Sequence, residues 1–194
     1  MSTKVTLPPD PWQNVKTLHG LPADEVISGL QKSLRRGLSE TALLIAYEMY
    51  MTSAEMEEML WSRLIVIAVE DVGYGNKDLI VTIDALYRNH ARYPRPIGDR
   101  FLFAAHAIRL IADSPKDRTT DDMVNFAKLE NQVRGKGPEV PDFAIDMHTK
   151  RGWEMGRGYE HFMTEASRVE NKITDVDTSY RDRIMAAIAA GELA

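Results

Sequence analysis

The chain contains no cysteine. Disulfide staples and every thiolate metal site, zinc fingers included, are therefore excluded. It lacks any apolar run approaching the roughly 18–20 residues that cross a bilayer. Its first residues, MSTKVTLPPDPW, carry no hydrophobic stretch behind their single lysine, so a secretory signal is not expected and a cytoplasmic location is. No segment alternates apolar and polar residues over five positions as a half-buried strand does. A phosphate-binding loop is also missing. It needs GxxxxGK[ST] between a strand and a helix, whereas RGKGPEV has Gly137 and Pro138 after Lys136 and no strand before it. Positive charge is in deficit too: the net charge is −5. Proteins that grip duplex DNA usually carry a basic surplus. The acidic balance argues against that as the main role and leaves room for a local basic patch.

What is present is helix, in a chain of 194 residues, enough for one domain with a real core. The prolines at 8, 9, 11 and 22 and Gly20 imply an extended arm over residues 1–21, anchored by Trp12. Pro22, followed by Asp24 and Glu25, marks a helix start. Val26, Ile27, Leu30 and Leu34 then share one face of a helix over Ala23–Arg36, stopped by Gly37. Ser39 is the expected cap of a second helix to Met51, with Ala42, Ile45, Ala46 and Met49 inward. Thr52 and Glu55 have capping-box spacing for a third, reaching about Asp71. From Met59 to Val69 this third helix is apolar nearly all round, which predicts a central position. Further helices are expected over Lys77–Arg92 (Ile80, Ile83 and Tyr87 inward), Gly98–Ala112 (Phe101, Ala105, Ile108 and Ala112 inward) and Asp121–Val133 (capped by Thr120). RGKGPEVPDF holds two glycines and two prolines and is not regular helix. A short helix in HFMTEASRVENK and a C-terminal one with Tyr180, Ile184, Ala187 and Ile188 on one side complete the pattern. The methionines Met49, Met51, Met56 and Met59 are core filler or an adaptable subunit interface.

Four blocks carry a resemblance. VISGLQKSLRRG (Val26–Gly37) resembles the ISALHKSIRG helix that opens the C-terminal domain of RarA/MgsA-type AAA+ ATPases, the replication-associated recombination proteins related to the Werner-helicase-interacting ATPase. RLIVIAVEDVGYGN (Arg63–Asn76) is similar to that family's RL..IASEDVG.A, and HAIRLIADSPKDR (His106–Arg118) to its AI.YLA.APKS. MHTKRGWEMGRGYEHF (Met147–Phe162) resembles a segment of some members. The blocks come in family order over Val26 to Glu165. Gln31 stands where the family usually has histidine, SPKDR replaces APKSN, and the ATPase module is missing. The resemblance implies an all-α, multi-helix bundle like a clamp-loader collar over residues 22–168, with an irregular glycine-rich segment and a tail helix over 169–194. It further implies a homo-oligomer, as a tetramer, that places an AAA+ ATPase subunit or replication-fork proteins on DNA, with no membrane and no cofactor.

Three polar clusters invite chemical readings. In EDVGYGN, Glu70 and Asp71 are either an acid/base or metal pair, or a helix end answering Arg63 or a neighbouring helix. Adjacent residues on a helix point about 100° apart, so convergence on one atom is not expected. The glycine-rich segment with Gly152, Gly156 and Gly158 has three readings. It is a structural clasp, with Trp153, Tyr159 and Phe162 packing back. It is an anion or nucleic-acid site using His148, Lys150, Arg151, Arg157 and His161. Or it is a metal site using His148, His161 and Glu165. A small hydrolase using His148 and His161 is a further alternative. Last, Lys32, Arg35, Arg36, Lys116 and Arg118 form either a DNA-tracking patch or a solvated face that complements helix dipoles. The residues and the resemblance together point to a non-enzymatic assembly module, without a catalytic or metal site.

Overall fold

Helical periodicity organises the chain throughout. The computed structural model describes residues 10–96 and 98–193, and among these it is all-α, with nine α-helices and no strand. No helix among them is long and apolar enough to cross a membrane. The chain divides into two compact units, Met1–Arg134 and Gly135–Ala194. The division falls inside the span 22–168 expected as one domain. It sits where Gly135, Gly137 and Pro138 interrupt helical packing.

The first unit holds α1 (Ala23–Arg35), α2 (Ser39–Thr52), α3 (Ala54–Ile67), α4 (Leu79–His90), α5 (Gly98–Asp113) and α6 (Thr119–Lys128). Helix α3 packs against α1, α2, α4 and α5, the central place its composition predicts. Leu60, Trp61, Leu64 and Ile67 are buried among Leu30, Leu34, Met49, Ile83, Ile108 and Ile111. Burying each such side chain contributes about 1.5–3 kcal/mol. The enclosure is incomplete, since Val66 and Val69 face solvent. Residues 1–9, with Pro8 and Pro9 of the expected arm, lie outside the described residues. Pro11–Asn14 form a 3-10 turn, and Trp12 packs against the core.

Several expected details shift. Ser39 does not cap α2: Leu38 holds that position without a side-chain bond. The cap of α3 is Ser53, whose hydroxyl accepts from Met56 N at 3.1 Å. Thr52 is engaged elsewhere, donating to Glu48 O and accepting from Leu18 N. Thr120 does not cap α6, where Asp117 accepts from Thr119 N instead. On α5 the buried face is Ala104, Ala107, Ile108, Ile111 and Ala112, while Phe101 and Ala105 are only half-buried. Ile108 and Ala112 are buried as expected, and Phe101 packs on the core from its edge, where its ring meets Tyr47 and Tyr50 of α2.

The second unit contains α7 (Lys150–Glu154), α8 (Tyr159–His161) and α9 (Ser179–Ala189), with a π turn over Phe162–Ala166. No residue of α9 is buried, so the face carrying Tyr180 and Ile184 is open.

A buried carboxylate ties α3 to the α4–α5 connection. Glu57 accepts from Arg95 Nη1 and Arg100 Nε, both at 2.7 Å. Arg95 also donates to Ser53 O at 3.0 Å and to Tyr50 O, and stacks over the Tyr50 ring. Arg100 Nη2 lies 3.1 Å from His90 Nε2, so that nitrogen accepts and the proton sits on Nδ1, which donates to Tyr87 O. Burial holds the His90 pKa below its ordinary value. The unfolded chain, with a histidine pKa near ~6.5, therefore takes up more protons than the folded one as pH falls below that value. The contribution of neutral His90 is complete above that pH and is lost as pH falls through the folded pKa. Urea midpoints measured from pH 7.5 to 5 are expected to fall with acid, and His90→Gln is expected to flatten that slope. Equal slopes in the two proteins would place the titration elsewhere.

Candidate functional site

Three segments distant in sequence meet at the end of α3. There the helix widens into a π turn, Ala68–Val72, which carries Glu70 and fully buried Asp71. Asp71 Oδ1 accepts from Arg35 Nε at 2.6 Å and from Arg118 Nη1. Glu70 Oε1 accepts from Arg35 Nη2 at 3.1 Å and Arg118 Nη1 at 3.2 Å. Gln31 Nε2 reaches both carboxylates, at 2.8 Å and 3.2 Å. Its Oε1 accepts from Arg63, so Arg63 meets the pair through Gln31 rather than directly. The two adjacent carboxylates thus converge on shared donor atoms, against expectation. The wider π turn narrows the angle between consecutive side chains, and the donors reach in from other elements. Both oxygens of Asp71 and Oε1 of Glu70 are occupied by these donors. The arrangement locks helices together.

The turn after the carboxylates explains its own glycines. Asp117 N donates to Asp71 O at 3.1 Å, and Tyr74 N donates to Asp117 Oδ2 at 3.3 Å. Gly73 has φ +50°, and a Cβ there would lie 2.5 Å from Asp117 O. A Cβ on Gly75 would lie 2.2 Å from Pro115 O. The two loops touch backbone to backbone, which only glycine permits. Beside them lies an open recess of about 310 Å³, lined in part by Val69, Tyr74, Lys77 and Thr120.

The five residues of the expected basic patch are not free in equal measure. Arg35 and Arg118 are committed to Glu70 and Asp71. Lys116 Nζ donates to Ile111 O, Ala112 O and Ser114 O, capping the C-terminal end of α5. Burial lowers its pKa. Lys32 and Arg36 face solvent, Lys32 bonded to Ser28 and Arg36 to Lys32 O.

In the second unit, Arg157 is a fastener. Its Nη2 donates to both oxygens of Asp142 at 2.9 and 2.8 Å, and its Nη1 to Asp142 O and Ile145 O. The guanidinium holds the Asp142 carboxyl below the usual carboxylate range. Asp146 accepts from His148 N at 3.0 Å and pairs with its Nδ1 at 3.0 Å, bonds that lower its pKa likewise. Thr149 caps α7 by accepting from Gly152 N. Gly152 is buried against Asp146, whose carbonyl oxygen would lie 1.9 Å from an added Cβ. His161 turns inward, its Nδ1 without a partner among the described residues. It shares no hydrogen bond there with His148, which is exposed. Lys150 and Arg151 are exposed as well. A recess of about 470 Å³ is lined by Met147, Trp153, Tyr159 and the Gly156–Gly158 backbone, and its cation, Arg157, is already engaged. No group of three or more His, Asp or Glu residues that could hold a metal occurs among the described residues.

No protein-family model matches the chain, and no curated protein matches it in sequence.

One surface was not singled out from sequence. Along α2 and α5, Leu44 (66 % exposed), Tyr47, Met51 and Leu102 (65 % exposed) stand open to solvent. Leu44, Tyr47 and Leu102, with Leu43, Phe101 and Ala105, frame an almost wholly apolar recess of about 390 Å³. A second recess, lined by Ser39, Glu40, Ile108 and Arg109, joins it through Leu43 and Ala105. The signal was available: LLIAYEMYM in α2 is apolar around its whole circumference, as α3 is, and such a helix is normally covered. Glu57 was missed for a related reason. It lies in register with Leu60, Trp61 and Leu64 on the apolar face of α3, where a charge demands a buried partner.

Gly75→Ala is expected to destabilise the first unit by about 1–3 kcal/mol in urea melts, the usual cost of overpacking. Gly98→Ala, with nothing within 4 Å of the added atom, is the matched control. Equal stability of the two variants would contradict the backbone contact. Arg157→Ala is expected to speed amide exchange over residues 142–146 and leave α1–α6 unchanged. Unaltered exchange there would show that the fastening is dispensable.

Proposed function

We propose that the chain is a non-catalytic, all-α assembly module that self-associates, akin to the collar and oligomerisation region of RarA/MgsA-type AAA+ ATPases. Its work is to place partners, an AAA+ ATPase subunit or replication-fork proteins, on DNA, in the cytoplasm. The observation that carries the reading is the open apolar face of α2 and α5. Leu44, Tyr47, Met51 and Leu102 form a contiguous patch of a kind that marks interaction surfaces in stable proteins.

A second observation supports the family side of the proposal. Three of the four resembling blocks meet in one place: Gln31 and Arg35 from the first, Glu70 and Asp71 from the second, and Lys116 to Arg118 from the third. Blocks that recur together for a shared structural reason would meet in this way. The nucleic-acid reading draws less support, because Arg35, Arg118 and Arg157 are each held by carboxylates of the same chain.

Light scattering after gel filtration tests the proposal. The expected mass at micromolar concentration is about four times that of the 21.9 kDa chain, and Leu44→Glu is expected to lower it. A monodisperse monomer for the unaltered chain would remove the assembly role.

A further inference from the structure

We propose that the outward apolar face of α6 in one copy lies in the α2/α5 groove of the next, so that copies join head to tail. This rests on the self-association reading above and names the two surfaces that carry it.

Helix α6 continues through a π turn, Leu129–Val133, to form one rod of ten plus five residues. Its first turn is tied to the ionic joint, where Arg118 bridges Asp71 and Asp121. That puts a polar side toward the bundle. The other side carries Met123 (66 % exposed), Phe126 (62 % exposed), Leu129 and Val133, all open to solvent. On a 3.6-residue period Met123, Phe126 and Ala127 share a face, while Asp121, Asn125 and Lys128 lie opposite. No residue of α6 is buried. An isolated helix of about 15 residues is marginal in water, so a rod with its apolar stripe exposed gains stability only when something covers it.

The groove on α2 and α5 fits that stripe in length, chemistry and charge. Met123 to Val133 spans about 15 Å at 1.5 Å per residue, and so does Asp99 to Arg109 along α5. The recess between Leu44, Tyr47, Phe101 and Leu102 is apolar, and its volume of about 390 Å³ is offered to the Phe126 ring. Arg109, near one end of the groove, is exposed, as is Asp122, which borders the apolar stripe of α6. Laid antiparallel to α5, the rod sets Asp122 against Arg109. Within one copy α6 packs on the Ala68–Val72 turn, and among the described residues both stripe and groove stay open to solvent. Two different complementary surfaces on one protomer make a heterologous interface, which closes into a ring when the rotation between copies permits.

The test compares the wild type with Phe126→Glu and Leu102→Glu, alone and mixed in equal amounts, by light scattering after gel filtration. Both positions are exposed, and circular dichroism checks that the fold is kept. Each variant alone is expected to fall to the 21.9 kDa monomer. The mixture is expected to yield one species of twice that mass, since F126E supplies an intact groove and L102E an intact rod. Phe126→Glu assembling like the wild type would overturn the head-to-tail pairing and leave self-association standing, whereas a monomeric wild type removes both. The lack of native cysteine gives an independent check. F126C and L44C chains, mixed and treated with a short bismaleimide, are expected to give the mixed product. Predominance of L44C-to-L44C product would show a groove-to-groove contact and overturn the proposal.

Discussion

The burial of one carboxylate, Asp71, is the constraint on which the first unit turns. A charge removed from water at that depth is tolerated only when donors surround it. The donors here come from α1, through Gln31 and Arg35, and from the segment that opens α6, through Arg118. Satisfying the one group therefore fixes the relation of two elements to the end of α3. The backbone follows the same lead, since Asp71 O accepts from Asp117 N and so draws two loops into a contact that admits no Cβ. Glu57 plays the matching part at the other end of α3, where Arg95 reaches it from the connection between α4 and α5 and Arg100 from the first turn of α5. A central helix bearing a neutralised carboxylate near each end is held in register along its axis. Apolar packing alone, which is non-directional, would not fix that register.

Much of the helical plan was legible in the residues. The stripes Val26, Leu30, Leu34 and Ala42, Ala46, Met49 are buried as their spacing predicts, and α3 is central because its composition leaves few sides for water. Caps were read less well. Ser39, Thr52 and Thr120 are all competent capping residues, and local spacing cannot tell which hydroxyl a distant partner will claim; Leu18 claimed Thr52. On α5, Ile108 and Ala112 are buried as their spacing predicts, while Phe101 and Ala105 stand on the rim of the core. Among the polar groups, the arginines looked like a surface patch in sequence, since nothing local reveals that Arg35 and Arg118 share a partner some forty residues away. The glycine-rich segment hid a similar pairing, with Arg157 clasping Asp142 across fifteen residues.

The allocation of polarity in this chain runs partly against habit. Arginines and carboxylates are drawn inward, while Leu44, Tyr47, Leu102, Met123 and Phe126 are left outside. Inward charges set where helices sit, and outward apolar groups are the material from which an association surface is made. Charge here supplies register, and the apolar groups left outside are those on which the proposed assembly would rest.

The π turn at Ala68–Val72 has a consequence for how the gene can vary. A widened turn is a helix with one residue more than its regular pitch would use. Deleting a single codon in this stretch would restore ordinary winding and with it the angle of about 100° between consecutive side chains. Neighbouring carboxylates would then no longer converge on shared donors. The local irregularity is therefore what lets Glu70 and Asp71 act as a pair, and its length matters as much as its residues.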